Sequence, residues 1–244
     1  MSFWPLLAQL RTGHFIDLTH AFDEHIPAWE GFPPMTMRDV LTLEEHGIWS
    51  QEFCHVGQYG THFDPPAHLA TGVRFLDDVA VREFLLPLCV IDMHEAAAVD
   101  PDLMLTVDHI RAWEAEHDRV PEGAFFAMRT DWSKRWPDHD RIQGRDADGV
   151  THWPGFELET LQFLLHERRI TALGHETVGT DGGMKTAALN IEGQRYISEQ
   201  DTWQIELMTN LDQLPPTGAL IAVGVPKARG GSGFPVRAFA IAPQ

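Results

Sequence analysis

Apolar positions along the chain fall in short clusters separated by turn formers, not in long uninterrupted runs. Six clusters rich in β-branched or aromatic residues have the length and composition of strands: "FIDLTHAF", "LPLCVIDM", "GAFFAMRTDW", "ITALGHE", "GALIAVGV" and "VRAFAIA". Two segments between them repeat at helical spacing. Val107, Ile110 and Trp113 share a face within 106–118, as do Leu158, Leu161, Leu164 and Leu165 within 157–169. The opening "MSFWPLLAQLRTGHF" reads as an amphipathic first helix, because no basic residues precede its apolar run and no small-residue cleavage site follows it. Strands interspersed with helices predict an α/β or α+β domain. No repeat, low-complexity tract or linker divides the chain, so a single domain over 1–244 is expected. Residues 132–156 are polar and punctuated by Gly and Pro, and a stretch of that length in a compact domain often covers a functional site.

Composition narrows the partners. The 244 residues are 43% hydrophobic, enough for a substantial core. Eighteen basic against 36 acidic side chains give a formal charge of −18, which repels nucleic acids and anionic membranes but leaves a small-molecule substrate open. No apolar stretch approaches the roughly 20 residues that span a bilayer. Two cysteines, Cys54 and Cys89, are too few for a disulfide framework and fit a reducing compartment, so a cytoplasmic protein is expected.

The densest chemistry lies in "QYGTHFDPPAH", Gln58 to His68. If 58–64 is extended, Gln58, Gly60, His62 and Asp64 face one way while Tyr59, Thr61 and Phe63 face the other. That face offers an amide oxygen, an imidazole and a carboxylate, a donor set for a transition metal more than for calcium. Pro65 and Pro66 end the strand and can fold His68 back beside the metal, where a general acid/base belongs. A solvated edge strand would account for an isolated His-x-Asp. Random composition rarely adds the rigid Pro-Pro break and the third polar group.

The full string resembles the signature of the metal-dependent cyclase family, which includes bacterial kynurenine formamidases and isatin hydrolases: His-x-Gly-Thr/Ala-His-x-Asp-x-Pro-x-His. Further stretches similar to the family follow in order: "FIDLTHAFDEHIPAWEGFP", "RTDWS", "WPGF", "GHETVGTD", "ELMTNLDQLP" and "GGSGFPVR". The resemblance implies an α/β domain with a central mixed, partly barrel-like β-sheet flanked by helices, assembling as homodimers or higher oligomers. It also implies that His62 and Asp64 are metal ligands and that His68 moves protons. Gln58 stands where many relatives carry a ligating His, and its neutral, harder oxygen favours Mn²⁺ over Zn²⁺. Binuclear relatives have a His twelve residues before the Glu of the E-x-x-x-N-L stretch. Gln194 holds that position here, ahead of Glu206, so one divalent ion is expected.

The implied reaction is hydrolysis of a C–N bond next to a carbonyl. Water acidified by the ion attacks, and His68 takes its proton and hands it to the departing nitrogen. A cyclic amide such as isatin is the leading substrate, with N-formylkynurenine as the alternative. Two readings stand for several other candidates. Trp29 stacks on a planar aromatic amide or lactam, or is a half-buried structural residue. His175 and Glu176 line the pocket, or form a hydrogen-bonded pair at a strand end. Ser232 offers a pocket hydroxyl, or merely sits in a turn built by its glycine neighbours. Glu206 joins these as a substrate-site candidate. His20 and His55 read as structural, and "RTDWSKRW" and "HDRIQGRDADG" as solvated loop faces or part of a lid. A non-haem iron oxygenase and a non-catalytic binding module remain as rivals from other classes.

Overall fold

The structure, a computed structural model, describes residues 2–244. From the N-terminus it runs α1 (Trp4–Leu10), β1 (His14–Asp17), β2 (Thr36–Leu41), α2 (Leu43–His46), β3 (Ser50–Cys54), β4 (His62–Asp64) and β5 (Leu85–Asp92). Next come α3 (His94–Val99), β6 (Met104–Leu105), α4 (Val107–His117), β7 (Phe125–Arg129), α5 (His139–Gln143), β8 (Gly155–Phe156) and α6 (Leu158–Gln162). The chain ends with β9 (Ala172–His175), α7 (Gly183–Ala187), α8 (Glu192–Glu199), β10 (Trp203–Glu206), β11 (Ala219–Gly224), β12 (Phe234–Pro235) and β13 (Arg237–Ala242).

Nine strands form one mixed sheet in the order β1-β13-β11-β5-β7-β9-β10-β4-β12, curled into a half-barrel. All six apolar clusters contribute strands to it. β5, β7, β9 and β10 are parallel at the centre, and antiparallel strands flank them. Alternation along β7 shows how the sheet divides the core. Phe125 and Ala127 pack on one face with Phe63, Trp203 and Ile205, while Phe126 and Met128 pack on the other with Ile110, Leu161 and Leu173. The predicted 106–118 helix is α4, buried through Ile110 and Trp113 and capped by Thr106, whose hydroxyl accepts from the His109 N–H. The predicted 157–169 helix is α6 continuing into a π-helical turn at Phe163–Arg168.

Three expectations need correction. Residues 58–64 are not one extended run. Gly60 sits at φ +61°, and the strand is His62–Asp64 alone. The first helix forms but buries none of its residues, leaving Trp4 80% exposed. The "RTDWSKRW" and "HDRIQGRDADG" runs are not merely solvated faces. Trp132 is buried beneath the Arg135 guanidinium, 3.3 Å from its ring, and donates its indole N–H to the Ile142 carbonyl at 2.8 Å. Those two contacts turn the middle of 132–156 inward.

His20 keeps its structural reading. It stacks on Trp136 at 4.3 Å between ring centroids, and burial lowers its pKa to about 4. Its Nε2 has no partner among the described residues. A base with a depressed folded-state pKa contributes full stability above its unfolded value of about 6.5 and loses it as pH falls towards 4. His20→Phe keeps the stack and removes the titration, so its melting temperature should fall less than wild type between pH 6.5 and 4; parallel curves would refute this. Beneath the sheet's polar strands, Phe63 stacks on Trp203 at 4.6 Å, and both are fully buried. Phe63→Ala should cost about 3–5 kcal/mol in chemical denaturation.

Candidate active site

The pairing of β4 with β10 builds the site. Their antiparallel register sets His62 opposite Glu206 and Asp64 opposite Gln204. Phe63, Trp203 and Ile205 alternate with these residues and enter the core, so the four polar side chains share the other face. His62 Nδ1 lies 2.8 Å from the Gly60 carbonyl. Donation there fixes the tautomer and leaves Nε2 free, 3.5 Å from both Asp64 Oδ2 and Glu206 Oε2. Gly60 supplies that carbonyl from its left-handed conformation, which a side chain there would strain.

One donor atom from each of His62, Asp64 and Glu206 lies within 4.8 Å of the other two, and all three residues are buried. Two carboxylates and an imidazole converging away from water form a donor set suited to a divalent transition metal. The charges of the bare cluster make the same point. Burial opposes protonation of His62, but the Asp64 and Glu206 carboxylates outweigh it and lift its pKa to about 9. Burial would raise Asp64, yet His62 and His68 hold it near 2. Burial and the Asp64 charge drive Glu206 well above the usual carboxylate range. The cluster therefore binds positive charge, as a proton or as a metal.

Amides complete the surroundings. Gln204 Nε2 donates to Glu206 at 2.7 Å and reaches Asp64 at 3.3 Å; Gln194 Nε2 reaches the same two at 3.1 and 3.4 Å. Asp181 holds Gln194 in place by accepting the backbone N–H groups of Gly193 and Gln194 at the start of α8. Gln58, expected as an oxygen ligand, turns its N–H groups inward. Its Nε2 donates to Ser232 O at 2.7 Å and Asp64 Oδ1 at 3.2 Å, and lies 3.2 Å from His68 Nδ1. Glu206, expected only as a substrate-site residue, lies with His62 and Asp64 in the triad, and the Gln58 amide stands beside them.

His62, His68 and Glu206 open onto a cavity whose walls include Trp29, Phe32, Gln143 and Trp153. Trp29 meets Phe32 edge-on at 5.0 Å and is 62% exposed, so much of its surface is open. The remaining candidates lie off the cavity. His175 is fully buried behind Glu206, its Nε2 4.0 Å from Oε1, and burial lowers its pKa to about 4. Glu176 points elsewhere and does not pair with it. Its carboxylate accepts from the Thr130 N–H at 2.7 Å and the Ser133 hydroxyl at 2.6 Å, tying the turn after β7 to the end of β9. Ser232 contributes its carbonyl to Gln58, and a Cβ at the next residue, Gly233, would fall 2.1 Å from Gln58 Nε2, so a side chain there would displace that amide. Gln204 escaped the sequence reading, although the alternation of "WQIE" marks it as a partner of Glu206.

Comparison with known proteins places this geometry. The Cyclase family model matches residues 16–182. The isatin hydrolase of Roseibium aggregatum is 36% identical over 247 residues, covering 94% of this chain and 92% of that protein. The kynurenine formamidase of Geobacillus thermodenitrificans is 29% identical over 100 residues, covering 38% of this chain and 46% of that one. The crystal structure of an isatin hydrolase bound to the product analogue thioisatinate superposes with a TM-score of 0.91 at 28% identity, each chain fully covered.

The geometry predicts which side chains hold metal. His62→Ala, Asp64→Ala and Glu206→Ala should each lower metal affinity by at least about tenfold, whereas Gln58→Ala should retain the ion. Elemental analysis after dialysis checks this, and loss of metal from the Gln58 variant alone would reverse the assignment.

Proposed function

Because the chain belongs to the Cyclase family, we propose that it is a metal-dependent hydrolase that opens the ring of a cyclic amide such as isatin. The observation that carries this reading is the convergence of His62, Asp64 and Glu206 at the floor of an aromatic-walled cavity that His68 also faces. The match to an isatin hydrolase along nearly the whole chain supports the substrate class.

A divalent ion held by the triad supplies Lewis acidity, polarising a carbonyl and lowering the pKa of water from 15.7 towards about 7. The chain's own residues do the rest. Trp29 and Phe32 offer ring surface to a planar substrate. His68 accepts a proton from the attacking water as the new C–O bond forms, then delivers it to the nitrogen as the C–N bond breaks. A neutral lactam leaves as an amino-carboxylate. Oxygen-rich donors support Mn²⁺ over Zn²⁺, and Gln194, occupying space beside both carboxylates with an amide, supports a single ion. A homodimer is supported by the exposed β2–β3 ribbon, since two strands alone are marginal in water. Free Cys54 and Cys89 agree with a cytoplasmic setting, and no helix among the described residues is long and apolar enough to cross a membrane. The kynurenine formamidase match supports a second reading, hydrolysis of an N-formyl aromatic amide at the same type of bond.

Purified protein supplied with Mn²⁺ should bleach the visible colour of isatin without consuming oxygen. His68→Ala should lower turnover about 10²–10⁴-fold with metal still bound. Undiminished turnover in that variant would remove His68 from the chemistry, and oxygen uptake would favour an oxygenase.

A further inference from the structure

Gln143 is a buried polar residue of the cavity wall that the triad, His68 and the aromatic walls leave unused. It is the last residue of α5 and only 9% exposed, yet its carboxamide finds no hydrogen-bond partner among the described residues. The carboxamide is open to the cavity, where solvent or a bound ligand meets its donor and acceptor groups. Its position is not a loose one. Asp138 caps α5 by accepting the Arg141 N–H at 3.0 Å, and Ile142, fully buried, gives its carbonyl to the Trp132 indole at 2.8 Å. On the other side the Gln143 carbonyl accepts from the His152 N–H at 3.2 Å. Gly144 then turns the chain at φ +56°, where a Cβ would collide with the His152 carbonyl. The local fold holds an unpartnered carboxamide towards the cavity that also contains His62 and His68.

We propose that Gln143 is a substrate-binding residue whose carboxamide hydrogen-bonds a second carbonyl of the substrate, the one adjacent to the carbonyl that is attacked. The assignment rests on the lactam-opening reading. In isatin the amide carbonyl and nitrogen are the reacting atoms and belong beside His62, Glu206 and His68. The remaining polar group is the ketone, so the Gln143 Nε2–H donates to the ketone oxygen. The residue thereby selects planar lactams bearing a second carbonyl over aromatic amides that lack one.

The test compares isatin with N-formylaniline, which has a scissile amide and no second carbonyl. Gln143→Met keeps nearly the same volume without the amide; Gln143→Glu keeps the outline without the donor. Both variants should raise the isatin KM about fivefold, the usual worth of one hydrogen bond, with kcat within about twofold. The inhibition constant of N-formylaniline against isatin opening and the melting temperature should stay at wild-type values in Gln143→Met. An unchanged isatin KM in both variants, or equal weakening of both ligands, would overturn the assignment and leave the functional reading intact. A wild-type protein that does not open isatin at all would sink the functional reading, and the assignment with it.

Discussion

Two carboxylates, Asp64 and Glu206, are buried side by side against one imidazole, and the remainder of the structure accommodates that arrangement. Like charges removed from water repel each other and lose hydration, so they persist only where cation or hydrogen-bond donors meet them. Among the described residues no lysine or arginine pairs with either carboxylate; His62 lies between them, and His175 approaches Glu206 from behind. Burial keeps His175 neutral, which leaves His62 and the amides of Gln58, Gln194 and Gln204 as the resident partners. Such a cluster is stable with an added positive charge at its centre and strained without one. Cation binding is therefore a consequence of the packing, not an addition to it.

The sheet makes this possible because fold and site use the same alternation. Along β4 and β10, every second residue is a metal-competent or amide side chain, and the residues between them are Phe63, Trp203 and Ile205 in the core. A slip of one residue in register would bury the carboxylates among aromatics and expose the aromatics to the cavity. Core packing therefore enforces site geometry. The Phe63–Trp203 stack, extended by Phe125 at 5.6 Å from Trp203, holds the two strands in the register the cluster needs.

What the sequence disclosed follows from the same physics. Long apolar strands such as β5 and β7, and helices such as α4 with its Thr106 cap, announce themselves because burial on a regular period leaves a pattern. Short strands carrying chemistry do not. β4 spans three residues and β10 four, and their polar members break the apolar signal that marks a strand. His62, Asp64 and His68 were legible as a local string, and the structure brings all three to one place. Glu206 was visible as a residue but not as the third member of the triad, because its nearness to His62 comes from a pairing across more than a hundred positions. How the Gln58 amide is oriented was not legible for a related reason: the Ser232 carbonyl that it meets lies far along the chain. Glu176 was drawn towards the pocket by sequence adjacency to His175, whereas it follows the end of β9 and turns its carboxylate to Thr130 and Ser133.

The charge pattern around the cavity bears on turnover. Neither lysine nor arginine lines it, and its polar walls include the neutral amides of Gln58, Gln143 and Gln194. The neutral lactam of the proposed reaction would meet no electrostatic barrier on entry and would be held by ring contact and hydrogen bonding. In the proposed ring opening the product gains a carboxylate, for which no lysine or arginine lines the cavity. Within the chain the product has no cationic side chain to replace the metal as a counter-ion, and the surface beyond, at a formal charge of −18, repels it further. On the proposed reaction, capture then depends on shape and amide contacts, and the acidic surface beyond the site opposes rebinding of an anionic product.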